Sequence, residues 1–124
     1  MPETNVEIAR RGYAAVARGD IDAIREFLDP NVQWHGGDPS FPGACHNSDD
    51  VVAFIRQARR RGGIGELVDV VDAGDRVVAI MRPPGTGEDD PQLRANVTTF
   101  RDGKVVEMVA YESSDEALAA VRRG

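Results

Sequence analysis

The sequence predicts an α+β domain in which helices cover a curled, mostly antiparallel sheet. Three observations support this prediction. Apolar residues recur at helical spacing up to Arg61, whereas the period changes to that of strands after Gly62-Gly63. A length of 124 residues suits one domain, residues 1–124, which can bury a sizeable core without a metal or a disulfide. No internal repeat interrupts this order.

Two helices are predicted at the start of the chain. The segment Thr4-Asn5-Val6-Glu7 has the spacing of a capping box, and the helix that it begins continues to Arg18-Gly19. Asp20 can cap a second, short helix. That helix ends before Pro30, because a proline disfavours helical backbone in the residue that precedes it.

A third helix is predicted from Ser48, after a loop of turn-forming residues over 36–43. A second capping box, Ser113 to Glu116, predicts a short helix that closes the domain. The inner face of the third helix is predicted to comprise Val51, Phe54, Ile55 and Ala58.

The strands are predicted around this helical scaffold. A brief strand over 31–35 precedes the third helix, and three or four more follow Gly62-Gly63. The dipeptide Asp102-Gly103 predicts a tight hairpin, since both central residues of a type I′ turn need positive φ. A twisted sheet of this size tends to curl and can leave a cavity beneath the helices. The later strands are predicted over 64–72, 76–82, 92–101 and 104–112.

Charge and cysteine content exclude several functions. The 15 basic and 21 acidic residues give a net charge of −6, so the surface repels nucleic acid and anionic membranes. The basic run Arg59-Arg60-Arg61 is interpreted as the last turn of a helix. Cys45 is the single cysteine, and neither a secretory segment nor 18 consecutive apolar residues occur. A cytoplasmic protein is therefore expected.

Five segments of the chain form a recognisable series: Tyr13-Ala14-Ala15, Arg18-Gly19-Asp20-Ile21-Asp22-Ala23, Leu28-Asp29-Pro30-Asn31-Val32-Gln33-Trp34, Gly74-Asp75-Arg76-Val77-Val78 and Phe100-Arg101-Asp102-Gly103-Lys104-Val105-Val106-Glu107. In this order they resemble the SnoaL-like (ketosteroid isomerase-like) subgroup of the nuclear transport factor 2-like superfamily, and the resemblance extends from about residue 5 to residue 121. It implies a cone-like half-barrel with a pocket between sheet and helices, and frequent dimers. It does not imply one reaction, because the superfamily includes isomerases, cyclases, hydrolases, dehydratases and binding domains.

The known machineries of the superfamily are not reproduced in this sequence. At the three functional places of ketosteroid isomerases, the resemblance puts Gly12, Gly36 and Asn96, so the tyrosine and the base are missing. Ala110 stands where polyketide cyclases carry an acid. Limonene-epoxide hydrolases need an Asp–Arg–Asp cluster, for which Arg82 and Asn96 supply only part.

The resemblance also chooses which strand faces look into the pocket. Arg82 is then a clamp for a carboxylate, enolate or phosphate, or a structural partner of Glu112 or Asp38, or a solvent-facing cation at the pocket mouth. Asn96 is an oxyanion-type donor or a satisfied buried amide. The inward set comprises Trp34, Val78, Ile80, Arg82, Asn96, Thr98, Phe100, Met108, Ala110 and Glu112, with Val16 and Phe54 opposite.

The two histidines are the groups that titrate near neutrality unaided. His35 has the opposite parity to Trp34 and is expected on the outer sheet surface, whereas His46 precedes the third helix, where a loop can fold over the pocket. Neither has metal-ligand spacing to a nearby carboxylate, so no metal and no cofactor are expected. The ligand-binding candidates are Trp34, Phe41, Phe54, Ile80, Arg82, Asn96, Thr98 and Met108; the catalytic candidates are Arg82, Asn96, His46 and Glu112.

Three functions stay open at this point. The chain is a cofactor-independent isomerase, cyclase, dehydratase or hydrolase, a non-catalytic binding protein, or an assembly domain whose cavity is filled by its own side chains. The ligand expected is a small apolar or ring-shaped molecule with a carboxylate or carbonyl. An apolar outer sheet face, with Val105, Val109 and Tyr111, predicts a homodimer.

Overall fold

A computed structural model describes residues 4–38, 40–63, 65–83 and 93–123. The predicted order of helices and strands is confirmed over these residues. The helices are α1 (Asn5–Arg18), α2 (Ile21–Phe27), α3 (Ser48–Arg60) and α4 (Ser114–Arg123). The strands are β1 (Leu28–His35), β2 (Glu66–Ala73), β3 (Arg76–Arg82), β4 (Arg94–Arg101) and β5 (Lys104–Tyr111).

The starts of the first three helices follow local capping chemistry. Thr4 and Glu7 form the predicted capping box at the start of α1, and Gly19 ends that helix with φ 71°. Asp20 caps α2 by accepting a hydrogen bond from the backbone of Ala23. Helix α3 begins at Ser48 as predicted, and Asn47 caps it, since the Asn47 side chain accepts from the backbone N–H of Asp50.

The strands form one curved, unclosed five-stranded sheet in the order β1-β5-β4-β3-β2. Three of the pairings are antiparallel, and β1 lies parallel to β5. Asp102 and Gly103 have φ values of 54° and 77°, which confirms the tight hairpin between β4 and β5. The predicted strand start at residue 92 and most of the 83–91 loop lie outside the described residues.

The sheet is covered on both faces, whereas the sequence predicted helices on one face only. Helices α1, α2 and α3 pack on the concave face, around a core that includes Ile24, Val51 and Val77. The last helix, α4, packs on the convex face and buries Val78 and Ala117. Strand β3 is therefore buried on both faces, so its residues do not alternate between apolar and polar.

A β-bulge in β5 changes which residues face outward. The register between β4 and β5 shifts between Thr99 and Phe100, so that Val105 pairs with Phe100 and joins the concave core. The prediction that Val105 lies on the outer face is wrong for this reason. Tyr111 does lie on the side of α4, where it packs against the convex cluster.

Within the described residues, no helix is both long enough and apolar enough to cross a bilayer.

Candidate functional site

At the open end of the concave face, which we call the mouth, lies a loop whose two ends are hydrogen-bonded to each other. Trp34 at the end of β1 and Cys45 ahead of α3 exchange both backbone hydrogen bonds, at 3.0 and 2.8 Å. The residues between them, from Gly36 to Ala44, therefore leave the sheet and return to it at one place. This closed loop supplies one wall of a cavity of about 420 Å³ at the mouth.

Asp38 orders the loop from within. Its carboxylate accepts hydrogen bonds from the Ser40 backbone at 2.9 Å and the Ser40 hydroxyl at 2.7 Å. These hydrogen bonds from Ser40 hold the pKa of Asp38 below its ordinary value. Phe41 follows in the next turn and donates its N–H to the Asp38 carbonyl at 3.1 Å. The loop thereby presents the Phe41 ring, which is 67% exposed.

Trp34 and Phe54 form the opposite side of the mouth. Their rings meet edge to face, with centroids 4.9 Å apart at an interplanar angle of 70°. The Trp34 indole N–H donates to the Asn96 side-chain oxygen at 3.3 Å, which fixes the indole plane. Phe54 remains 43% exposed although it lies on the inner side of α3. An exposed aromatic pair of this kind suits contact with an apolar ligand.

Two cavities of about 420 Å³ each meet at this aromatic pair. Trp34, Phe54 and Ala110 line both of them. Ala110 faces inward from β5, and its exposure shows that the concave side is hollow at this end. We name the first the aromatic compartment, defined by Trp34, Phe41, Pro42, Ala44, Phe54 and Ala110. We name the second the arginine compartment, defined by Trp34, Phe54, Arg61, Arg94, Asn96 and Ala110.

The deep interior of the cone is nearly full. Its cavity measures only about 30 Å³, and Gly12, Phe27 and Phe100 are among the residues that line it. The Phe27 ring lies so close to Gly12 that a Cβ at position 12 would be 2.7 Å from it. The space left is about that of one water molecule. The cavity that can hold a ligand is therefore at the mouth.

A buried polar chain crosses this interior. The Asn96 amide nitrogen donates to the Tyr13 hydroxyl at 3.1 Å, while its oxygen accepts from Trp34. Burial raises the pKa of the Tyr13 phenol, and the neighbouring Asn96 and Thr98 side chains oppose that rise only in part. Thr98 is 2% exposed, and its hydroxyl forms no hydrogen bond of ordinary geometry within the described residues. Of the two alternatives for Asn96, an oxyanion-type donor or a satisfied buried amide, the hydrogen bonds favour the satisfied amide. The residue also borders the arginine compartment.

The prediction that Ile80 and Arg82 face the cavity is wrong. Ile80 packs in the convex cluster beneath α4, and strand alternation puts Arg82 on that same side of β3. The Arg82 guanidinium pairs with Glu66 of the neighbouring strand at 3.3 Å, and not with the predicted Glu112 or Asp38. The inward residues of β3 are Val77, Ala79 and Met81 instead, because they pair with Thr98, Asn96 and Arg94 of β4.

The structure separates the remaining catalytic candidates from the mouth. Glu112 is exposed beyond the end of β5, and His46 is exposed ahead of α3 with its backbone N–H bonded to Asp50 at 3.0 Å. Neither side chain belongs to the described lining of the two compartments. Met108 and Thr98 lie inward as predicted, but they line the small interior cavity.

His35 is at the base of the loop, bonded on both ring nitrogens. Its Nε2 lies 3.1 Å from a Glu107 carboxylate oxygen, and its Nδ1 accepts the Gly37 backbone N–H at 3.0 Å. A backbone N–H can only donate, so the neutral ring carries its proton on Nε2, toward Glu107. Both ring nitrogens are therefore engaged in hydrogen bonds that hold the start of the loop.

Cys45 borders the aromatic compartment without the properties of a nucleophile. Burial raises the pKa of its thiol, and the nearby Asp50 carboxylate raises it further. No group of three or more histidine, cysteine or acidic side chains is arranged around a metal position in the described segments.

Sequence reasoning missed three residues of this region. Arg94 precedes Asn96 by two positions on β4 and therefore shares its inward face. Arg61 is the C-cap residue of α3 and follows Phe54 by seven positions, which is helical spacing, so it continues the same stripe. Tyr13 supplies a phenol next to Asn96, although the resemblance aligned the neighbouring Gly12 with the tyrosine of ketosteroid isomerases.

Comparisons with known proteins agree with this architecture. A protein from a soil-derived mobile gene cassette, Bal32a, is 27% identical, with a TM-score of 0.70 over 86% of this chain and 87% of that one. An NTF2-like protein from Burkholderia thailandensis is 25% identical, with a TM-score of 0.66 over 96% and 98%. A cystatin-like protein of unknown function from Xanthomonas campestris is 21% identical, with a TM-score of 0.71 over 96% and 98%.

No functionally curated protein matches the chain at a significant level. The family model for the SnoaL-like domain matches residues 9–108, which include β1 to β4, α2 and α3 in full and most of α1 and β5. The chain therefore belongs to the SnoaL-like family, within the nuclear transport factor 2-like superfamily.

Proposed function

We propose that this chain binds a small, ring-shaped apolar molecule in the aromatic compartment. The observation that carries the proposal is an open cavity of about 420 Å³ with exposed aromatic rings on two sides, Phe41 on the loop and Phe54 on α3. Ligand pockets are typically 300–1,000 Å³ and mostly apolar, with few polar groups. The volume and the wall of the compartment fit this description.

The arrangement of polar groups favours binding over catalysis. General acid–base catalysis needs a titratable group within hydrogen-bond reach of the reacting atom. The Tyr13 phenol and the Asn96 amide already hydrogen-bond to each other, and the interior cavity that Tyr13 lines measures only about 30 Å³, which leaves no room for a substrate. At the mouth, Ala110 occupies the place of the acid that the resemblance assigns to polyketide cyclases. His35 and Asp38 also border the aromatic compartment, but both are already engaged in hydrogen bonds to other protein groups. Binding without turnover is therefore the simpler function for such a site.

The test is a titration with N-phenyl-1-naphthylamine, an uncharged dye that fluoresces in apolar surroundings. We expect saturable binding to the wild type, and at least about a tenfold loss of affinity in Ala110→Trp, because the indole fills the space between the rings. Ala53→Trp is the matched control, since Ala53 is exposed on α3 and does not line the compartment. Equal affinity in the two variants would refute the proposed site.

Two further parts of the proposal concern the setting of the protein. A cytoplasmic location and a homodimer through the outer sheet face remain predictions. The dimer would use Val109 and its neighbours on the part of the convex face that α4 leaves uncovered, since α4 packs chiefly on β3 and β4.

A further inference from the structure

Two arginines face the arginine compartment from different elements. Arg94 lies on the concave face of β4 at its first residue, where it pairs with Met81 of β3. Arg61 lies at the end of α3, in the stripe that contains Phe54 and Ala58. Both side chains border the same cavity of about 420 Å³ as Trp34. A strand and a helix thus bring two cations to one side of the mouth.

The backbone at both positions is held in place. The end of α3 closes with hydrogen bonds from Arg61 N to the Ala58 carbonyl at 3.0 Å and from Gly63 N to the same carbonyl at 2.8 Å. Gly62 and Gly63 have φ values of 113° and 104°, which other residues adopt only with strain, so the chain can turn away sharply after Arg61. Arg94 is fixed by the ladder between β3 and β4.

The part of the chain that the structure describes does not balance the charges at this place. Among the described residues, neither Arg61 nor Arg94 forms a salt bridge, and the described lining of the compartment contains no Asp or Glu. By contrast, Arg82 pairs with Glu66, and Arg25 pairs with Asp49 at 2.6 Å. Two like charges at one cavity repel each other unless an anion lies between them. This arrangement occurs in a chain whose net charge is −6.

We infer that the ligand carries an acidic group, and that Arg61 and Arg94 bind it in the arginine compartment while its ring occupies the aromatic compartment. This inference rests on the proposed function, because Trp34, Phe54 and Ala110 line both compartments and one molecule can span them. A guanidinium fork matches a carboxylate, sulfonate or phosphate with two parallel hydrogen bonds. The ligand class is therefore an aromatic or alicyclic acid.

The test compares two dyes that differ by one anionic group. The dye 8-anilinonaphthalene-1-sulfonate is N-phenyl-1-naphthylamine with a sulfonate on the second ring. We expect the sulfonate dye to bind the wild type more tightly than the neutral dye, and to lose about fivefold in affinity in each of Arg61→Gln and Arg94→Gln, since both arginines are partly screened by solvent. Affinity for the neutral dye should change less than about twofold in both variants. Added sodium chloride should weaken only the sulfonate dye.

The controls separate a specific site from a general effect of charge. Arg60→Gln removes the same charge from α3, but Arg60 borders a different groove with Arg56 and Arg59, so it should leave both affinities unchanged. Arg94→Lys should restore part of the affinity lost in Arg94→Gln, because the charge returns without the fork. Circular dichroism at each step establishes that the variants are folded.

The outcomes distinguish this inference from the proposed function. The acid site alone would be overturned by two results together. The neutral dye would bind and lose its affinity in Ala110→Trp, while the sulfonate dye would bind wild type, Arg61→Gln and Arg94→Gln equally well. Sulfonate binding that depends on both arginines, without neutral-dye binding, would retain the acid site and overturn the aromatic compartment. Failure of both dyes to bind would overturn both.

Discussion

The interior and the mouth of the cone are made of similar residues but are packed in different ways. In the interior, Phe100 is 6% exposed and the residual cavity is about 30 Å³. At the mouth, Phe41 is 67% exposed and each cavity is about 420 Å³. A phenylalanine inside contacts protein atoms on every side, whereas one at the mouth leaves a face without a partner. The two regions should therefore contribute to different properties, one to stability and the other to binding.

The polar groups show the same division. The interior amide of Asn96 is bonded on both sides, to Trp34 and to Tyr13. At the mouth, Arg61 and Arg94 lack a carboxylate partner among the described residues. A satisfied buried group specifies the packing around it, whereas an unpaired exposed cation can exchange water for a ligand. In this fold the deep pocket expected from the resemblance is packed as core, and the open cavities lie at the rim.

The largest effect is expected from emptying the interior. Phe100→Ala removes a buried ring from a region with no space to collapse into, which costs about 3–5 kcal/mol in the free energy of unfolding. Urea unfolding followed by circular dichroism measures this loss. The affinity of the folded variant for N-phenyl-1-naphthylamine should stay within about twofold of the wild-type value, because Phe100 does not line the aromatic compartment. A stability loss below 1 kcal/mol would contradict the division between the two regions.

A smaller effect is expected from the interior polar chain. Tyr13→Phe deletes the acceptor of the Asn96 amide N–H and leaves that buried donor unpaired, at a cost of about 1–3 kcal/mol at pH 7. The folded-state pKa of Tyr13 is raised above its ordinary value of 10.0, so the neutral phenol is the form that stabilises the fold. This stabilisation is complete below pH 10 and is lost as the pH rises through the raised pKa.

The measurement is the difference in unfolding free energy between wild type and Tyr13→Phe at pH 7, 9 and 11. The difference should shrink between pH 9 and 11, because only the wild type has a phenol to ionise at position 13. Tyr111 and Lys104 are present in both proteins, so their ionisation cancels in the difference. A difference that is constant up to pH 11 would show that the Tyr13 phenol has the same pKa in the folded and the unfolded protein, which would contradict the raised pKa.

Much of the fold was predictable because its elements are encoded locally. The capping box from Thr4 to Glu7 and the turn at Asp102-Gly103 specify their own backbone conformations, and both are confirmed. The ends of α1 and α3 at glycines follow from the same local chemistry. The position of α4 on the convex face depends on tertiary packing, and no local signal in the last helix identifies the face on which it packs.

The site was predicted less well because it depends on strand parity. Strand β3 is apolar on both faces, so alternation cannot tell which side holds Arg82, and the loop before β4 is too long to fix the register. For β4 the inward face was predicted correctly. Arg94 could have been placed on that face as well, because it precedes Asn96 by two positions on the strand. The bulge that turns Val105 inward likewise leaves no clear mark in the sequence.

The smallest effect on stability, and the sharpest test of the comparison, is expected from Phe41→Ala. It deletes the same ring as Phe100→Ala, but from a side chain that is 67% exposed, so the free energy of unfolding should change by less than about 0.5 kcal/mol. The loop should keep its shape, because Asp38 orders it through Ser40 and the Phe41 backbone. Affinity for N-phenyl-1-naphthylamine should fall by about tenfold, since the ring forms one wall of the aromatic compartment. If Phe41→Ala instead destabilised the fold as much as it weakened binding, the mouth would be part of the packed core, and the division between the two regions would not hold.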